Sequence, residues 1–251
     1  MAGKVGADAF GDFLLALLDR RGVDRRGVIS DPSVPTSATV VLVSADGERT
    51  FLHLPGANGA LRSEELDREL LFSGRALHVG GSLVMPALDG DPTAALLAEA
   101  HSRGILTSLD TAFDATGRWQ RVLPCLPELD VITPSLAEAR ALSAEHEPPA
   151  VARWLRRRGV REVALTMGGA GCYAAGEGFE GLVEPVSVRA VDGTGAGDAF
   201  AAGLLFGKLS GRPFEESVRL ANAVGALSTT AVGAIEGLEG LEATLAIAGL
   251  E

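Results

Sequence analysis

Val191-Asp-Gly-Thr-Gly-Ala-Gly-Asp-Ala-Phe200 joins a strand-like stretch to a helix, and packs three glycines and two aspartates into residues 192–198. Gly195, Ala196 and Gly197 carry little or no side chain, so consecutive backbone N–H groups at a helix N-terminus can approach an anion closely, helped by the helix dipole. Such a turn can hold transferring phosphoryl oxygens. Asp198 follows in the first helical turn, where its carboxylate can accept a proton from a nucleophilic hydroxyl. The same spacing also suits a plain glycine-rich turn with Asp198 favouring the helix start.

Downstream the pattern is helical: Ala196 to Leu209, Pro213 to Thr229, and a last helix near Leu238 to Ile247. Upstream, residues 171–188 are β-rich, and before them short apolar runs alternate with helices. Leu77 to Val79, Ile105 to Leu109, Asp130 to Ile132 and Glu162 to Thr166 read as strands. Helices open at Asp91-Pro92, with Asp91 as the cap and Gly104 as the stop, near Ser135, and at Pro149 to Arg158. This alternation predicts an α/β fold with a mainly parallel sheet covered by helices on both faces, and ligands outside the carboxyl ends of its strands. Nearer the N-terminus, Phe10, Phe13, Leu14, Leu17 and Leu18 share one helix face. Ala38 to Val43 and Thr50 to Leu54 flank an Asp46-Gly47 turn, as in a β-hairpin. The chain is expected to begin abruptly with that first helix.

The 251 residues allow one large domain or two small ones. Hydrophobic residues at 47% and charged residues at 22% exclude disordered and fibrous architectures. With 22 basic against 33 acidic residues the net charge is -11, which argues against nucleic acid as a partner. The densest basic stretch, Arg153 to Arg161, reads as a solvated helix face and its exit. Cys125 and Cys172 match no metal or redox spacing and suit a reducing cytosol. The apolar run Phe13 to Leu18 is too short to span a bilayer, so no membrane association and a cytoplasmic location are expected.

Familiar nucleotide motifs do not fit. Gly3-Lys4 precedes Val5 and Gly207-Lys208 precedes Leu209, so neither is a Walker A loop; Asp198 occupies the third glycine position of the dinucleotide pattern. Asp110 and Asp114 are too far apart in sequence for a two-aspartate phosphatase motif.

Asp192 to Phe200, followed by Ala202-Gly203, closely resembles the C-terminal signature of the PfkB-type carbohydrate kinases, the ribokinase-like family. Further blocks occur in family order: Val5-Gly6-Ala-Asp8-Ala-Phe10-Gly11 with Gly22-Val23-Asp24, then Gly56-Ala57-Asn58, Thr133-Pro134-Ser135-Leu-Ala-Glu138-Ala, Thr166-Met-Gly168-Gly-Ala-Gly171, Asn222 and Gly233-Ala234. The resemblance implies a single ribokinase-like domain over 1–251, a three-layer α/β/α sandwich with a mainly parallel central sheet, in which residues 36–54 form part of a small β lid. It implies an ATP-dependent kinase that phosphorylates a hydroxyl of a sugar or sugar-like molecule, with Mg2+ on the phosphates. Asp198 takes the general-base position, and Gly195, Ala196 and Gly197 the anion hole. Thr166, Gly168 and Gly171 match the block lining the nucleotide, and Asn222 a position beside the adenine. Asp192 and Thr194 match positions near a monovalent cation, K+, in some members.

Departures from the family pattern carry expectations of their own. Ser135 stands where the N-x-x-E block tied to magnesium and its waters has Asn, while Glu138 remains; Glu138 can equally be a plain helix carboxylate. Gly80-Gly81 stands where ribokinases place a sugar-contacting acid, which argues against ribose. A strand bearing a substrate-contacting Asp and a glycine-rich sugar-binding segment, usual at the start of the family, do not precede Val5-Gly6, so N-terminal truncation and feeble sugar phosphorylation are expected. The exposed lid edge could pair with a second subunit as a homodimer. Two alternatives to a sugar kinase stay open: a catalytically impaired nucleotide-binding remnant or regulatory paralogue, and a nucleoside kinase.

Overall fold

The computed structural model describes residues 1–43, 49–112, 114 and 116–250. In chain order the elements are β1 (Ala2–Gly6), α1 (Ala9–Arg20), β2 (Gly27–Asp31), β3 (Ala38–Val43), β4 (Arg49–Leu54), α2 (Gly56–Ala60), α3 (Arg68–Leu71), β5 (Ala76–Ser82), α4 (Asp91–Ser102), β6 (Leu106–Thr111), β7 (Val131–Ile132), α5 (Leu136–Ser143), α6 (Pro148–Arg156), β8 (Glu162–Thr166), β9 (Cys172–Gly176), β10 (Phe179–Val183), α7 (Ala196–Leu209), α8 (Phe214–Ser228) and α9 (Leu241–Ile247). A 3-10 helix, Trp119–Glu128, connects β6 to β7.

Six strands form one sheet in the order β10-β9-β8-β7-β6-β5, with β5 to β8 parallel and β9 and β10 antiparallel. Its central strands are apolar on both faces, as burial between two helical layers requires. Neighbouring residues therefore enter different cores. Ile132, Val163 and Leu165 join Leu97, Val151 and Leu155 of α4 and α6. Val131, Ala164 and Ala174 join Phe200, Leu204, Phe214 and Val218 of α7 and α8. Both cysteines are buried, and burial pushes the Cys125 thiol up to about 12. The helices α7 and α8 pack closely because Gly203 and Gly207 face Ala221 and Ser217, where a Cβ would lie 2.9 and 2.8 Å from the facing Cα atoms.

The N-terminal part differs from the sequence expectation. The first element is a strand, β1, and it pairs in parallel with β2; both were missed by the reading that began with a helix. Lys4 inserts its side chain into the protein from β1 and finds Glu65, Asp31 and the Ala60 carbonyl. Among the described residues, β1 and β2 form no ladder with the six-stranded sheet. A cavity of about 570 Å³, lined by Ala2, Gly27, Leu61, Leu70, Leu77 and Val79, lies between the pair and β5.

The first helix runs where the periodicity places it, capped by Asp8, whose side chain accepts from the Gly11 amide at 2.9 Å. Its apolar face is bare at the N-terminal end, where Phe10 is 66% exposed and Phe13 59%, while Leu17 and Leu18 are half-buried. The hairpin forms as β3 and β4, antiparallel and separate from the main sheet, with Val40, Val41, Leu42 and Leu52 all exposed. Its expected Asp46-Gly47 turn lies outside the described residues. One cap differs: Gly90, at φ 92°, is the N-cap of α4, and Asp91 is its first helical residue. No helix among the described residues is long and apolar enough to cross a membrane.

Candidate active site

The glycine-rich turn ends in α7, whose N-cap is Gly195 at φ 76°. Only glycine fits there, since a Cβ would lie 2.6 Å from the Ala234 Cβ. The Ala199 amide bonds back to the Gly195 carbonyl at 2.9 Å, so the Gly197 and Asp198 amides ahead of it lack intrahelical partners and point out of the helix end. Asp198 sits in this first turn with its side chain exposed. Asp192 braces the turn. Its Oδ1 accepts from the Thr194 amide and hydroxyl at 2.9 and 2.7 Å, and its Oδ2 from the Gly233 amide at 3.1 Å, which ties the loop to Gly233-Ala234.

Glu138 reaches the cleft from the start of α5. Ser135 is the N-cap; its hydroxyl accepts from the Glu138 amide at 3.3 Å, and Glu138 Oε2 accepts from the Ser135 amide at 2.9 Å, a reciprocal capping box. The Thr111 hydroxyl donates to the same oxygen at 3.0 Å. The Ser135 hydroxyl is thus engaged in the cap, and Oε1 is the Glu138 oxygen that these bonds leave available.

Asp110 adds a third carboxylate. Alternation along β6 turns Leu109 into the α4 side and Ser108 and Asp110 toward α7, where the Ser108 hydroxyl meets His78 Nδ1 of β5 at 3.2 Å. Asp110 is buried, and its carboxyl is pushed up to about 8 by that burial first, then by the negative charges of Glu138 and Asp198. The Thr133 hydroxyl beside it, on a residue only 3% exposed, completes no well-aligned hydrogen bond among the described residues.

This donor set fits a magnesium ion brought by a nucleotide. Mg2+ is usually held by one or two carboxylates together with phosphate oxygens and water. Among the described residues no three acidic, His or Cys side chains are placed to hold a metal by themselves. Glu138 and Asp110 supply hard oxygen donors in a cleft whose nearby charges are negative.

The remaining residues expected at the nucleotide come from the end of β8, the turn before β9 and α8. Thr166 ends β8 and its amide bonds to the Pro134 carbonyl at 3.1 Å, which joins it to the Ser135 turn. Gly168 and Gly171 bound the short 3-10 turn before β9, both with positive φ. Asn222, on α8, donates to the Glu184 carbonyl at 2.7 Å and lines a cavity of about 470 Å³ with Val183, Pro185, Val186 and Ala248. The sequence reading did not assign His78, Thr111 and Thr133 to the site, and it considered Asp110 only as half of a phosphatase motif. A signal for Asp110 was available: it directly follows the apolar run Ile105 to Leu109, at the carboxyl end of a parallel strand.

Comparison with known proteins identifies the family. Residues 1–240 match the model of the pfkB family of carbohydrate kinases. The chain is similar to an uncharacterized sugar kinase of Archaeoglobus fulgidus, 32% identical over 237 residues that cover 94% of this chain and 93% of the relative. It is similar to fructokinase-1 of Zea mays, 33% identical over 257 residues, with 94% and 78% covered. Among solved structures, a putative Ribokinase II of E. coli in complex with ATP and Mg2+ superposes with a TM-score of 0.85 at 26% identity, over 98% of this chain and 81% of that one. The fold is the ribokinase-like α/β sandwich, and the chain belongs to the pfkB family of carbohydrate kinases.

Proposed function

We propose that this kinase transfers the γ-phosphoryl group of ATP to a hydroxyl of a sugar or sugar-like acceptor, with Asp198 as general base. The observation that carries the reading is the position of Asp198: it follows the unpartnered amide of Gly197 in the first turn of α7 and shares the cleft with Glu138 and Asp110. The acceptor hydroxyl oxygen bonds to the γ-phosphorus while the bond from that phosphorus to the oxygen bridging the β-phosphate breaks. Asp198 takes the hydroxyl proton, and ADP leaves with the bridging oxygen. Negative charge on the transferring group meets the Gly195-Ala196-Gly197 backbone, where each well-placed donor contributes about 3 kcal/mol.

Glu138 and Asp110 would hold magnesium, which supplies neutralisation of phosphate charge when bound. Thr166, Gly168, Gly171 and Thr194 border the phosphates, and the cavity at Asn222 accepts the base. A K+ ion beside Asp192 and Thr194 is a secondary element, tested by comparing turnover in K+ and Na+ buffers; both Asp192 oxygens already accept hydrogen bonds from the loop.

Fructose is the first acceptor to assay, given the fructokinase relatives, followed by sugar acids and nucleosides. Replacing Asp198 by Asn should lower kcat on the order of 10³-fold and leave ATP affinity nearly unchanged. Near-normal turnover in that variant would remove the assignment. A nucleotide-binding protein without turnover is the second reading, favoured by the cavity beside His78 and Gly80, which leaves the β5 edge open. ATP binding without phosphorylation of any acceptor would establish it. A homodimer through the exposed β3–β4 lid would appear in sedimentation as a species of twice the 25.8 kDa mass.

A further inference from the structure

Five arginines fall within residues 153–161 of a chain whose net charge is -11. Elsewhere Arg25, Arg68, Arg103 and Arg212 each meet a carboxylate. In this stretch Arg158 lies over the Trp154 ring at 3.5 Å and Arg161 pairs with Asp130 at 2.9 Å. The guanidinium groups of Arg153, Arg156 and Arg157 make no hydrogen bond or ion pair among the described residues. Arg153 lies three and four residues before the other two, so all three share one helix face, where like charges repel. The carbonyl end of α6 attracts basic side chains, but that attraction does not explain why they gather around a hollow.

Arg153, Arg156, Arg157 and Arg161 line a cavity of about 330 Å³ together with Val160 and Glu180. The turn after α6 builds it. Gly159 has φ 106°, and a Cβ there would lie 2.7 Å from the Pro127 Cα, so only glycine lets the chain turn at that point and bring Arg161 to the arginines of α6. Ala175 of β9 and Glu180, its partner on β10, form the sheet side. Glu180 is the single acidic residue in the lining among the described residues, and its Oε1 already accepts from the Tyr173 hydroxyl at 3.0 Å. Val160 is 2% exposed, yet its amide makes no hydrogen bond among the described residues. Such a concave surface has donors and positive charge in excess, and guanidinium forks match the oxygens of a phosphate.

We propose that this cavity binds a small phosphorylated molecule, in an anion site at the amino end of β8. Thr166 and the candidate active site lie at the opposite end of that strand. The occupant is compact, because a nucleic-acid strand or an anionic membrane would extend from these arginines onto a surface whose overall charge repels it. The volume stands at the small end of the range for small-molecule sites. Nothing in the inference depends on the kinase reading.

The test is calorimetric titration of inorganic pyrophosphate at about 150 mM NaCl. It compares wild type with Arg153→Gln/Arg157→Gln and with Arg20→Gln/Arg62→Gln, which removes the same charge from exposed arginines elsewhere. Arg153→Gln/Arg157→Gln should weaken pyrophosphate binding about tenfold or more. Its affinity for Mg-ATP should stay unchanged, and its melting temperature without the anion should be equal or higher, since repulsion on α6 is relieved. The control pair should bind pyrophosphate as wild type does. Equal binding by all three proteins, as when pyrophosphate enters only the nucleotide cleft, overturns the proposal. Equal weakening in both variants also overturns it, because the attraction would then be diffuse charge. An oligonucleotide that binds these arginines more tightly than pyrophosphate overturns the choice of a small ligand, and a variant that melts several degrees lower makes the arginines structural. Wild-type protein that binds no Mg-ATP but still loses pyrophosphate binding in Arg153→Gln/Arg157→Gln overturns the kinase reading alone.

Discussion

In the half of the molecule that carries β8 and β9, Val163, Ala164 and Leu165 lose all contact with solvent; in the half built on β1 and β2, Phe10 and Phe13 of α1 stand mostly in it. The first half is a sheet closed by helices on both faces. The second is a two-stranded pair, a bare lid and a cavity along β5. The groups proposed for phosphoryl transfer, Asp198, Glu138, Asp110 and the 195–197 turn, all sit on the closed half. Precise chemistry needs its groups on rigid elements, whereas a half with few buried contacts is free to open locally. The difference places phosphate handling on the rigid side, and makes the β1–β5 side the place where acceptor choice and stability can vary.

After the loss of turnover expected from Asp198→Asn, the largest effect should come from the closed half. Lys208 of α7 pairs at 2.7 Å with Glu162 at the start of β8; Glu162 is buried, which raises its carboxyl, and its Oε2 has no hydrogen-bond partner among the described residues. Lys208→Met removes the cation and leaves a buried carboxylate. The expected cost is about 3 kcal/mol in urea unfolding, with much of it recovered by adding Glu162→Gln. A loss below about 1 kcal/mol would mean that this half is as permissive as the other.

The closed half was also the readable one. Glu162 to Thr166 and Ala196 to Leu209 coincide residue for residue with β8 and α7, because there local pattern and tertiary burial agree. The strand β1 escaped because Ala2-Gly-Lys-Val-Gly6 holds two glycines and a lysine, residues that strands avoid. It is held by tertiary contacts, with Lys4 reaching Asp31, Glu65 and the Ala60 carbonyl, none of which is near it in sequence. The bare face of α1 has the same origin: periodicity reports which residues share a face, and what covers that face depends on other segments. In the site, the 192–198 turn was legible as a contiguous motif. His78 and Thr133 were not, because His78 lies on β5 and Thr133 just past β7, and only the order of the sheet brings them to the same end of the fold.

A smaller effect should separate the halves by pH. Asp8 caps α1 and also holds the loop before β3, accepting from the Thr36 amide and hydroxyl at 2.8 and 2.7 Å. These bonds, the Thr36 amide foremost and then the Gly11 amide, lower its carboxyl below the usual range. A carboxylate lowered on folding contributes stability above its unfolded value and loses it as pH falls through the folded one. The β1–α1 half should therefore loosen below about pH 4, ahead of the six-stranded sheet. Hydrogen exchange across that range would show α1 amides losing protection first. Asparagine is also a good cap but does not titrate, so Asp8→Asn should flatten this acid response with little change at neutral pH. Simultaneous loss of protection in both halves would show that they unfold as one unit.

The smallest effect should come from the side chain that looks most important by size. A buried phenylalanine costs about 3 to 5 kcal/mol when truncated, but Phe13 is 59% exposed, and Phe10 and Leu14 beside it are exposed as well. Serine and phenylalanine have similar helix propensities, so Phe13→Ser changes little within α1 itself. Urea unfolding of Phe13→Ser should therefore agree with wild type to within about 0.5 kcal/mol. Sedimentation should show less self-association, because the substitution interrupts an exposed apolar stripe. A loss of about 2 kcal/mol or more would mean that another surface buries the α1 face in solution. In that case the two halves would be closed to a similar degree, and the contrast between a rigid phosphate side and an open acceptor side would have to be given up.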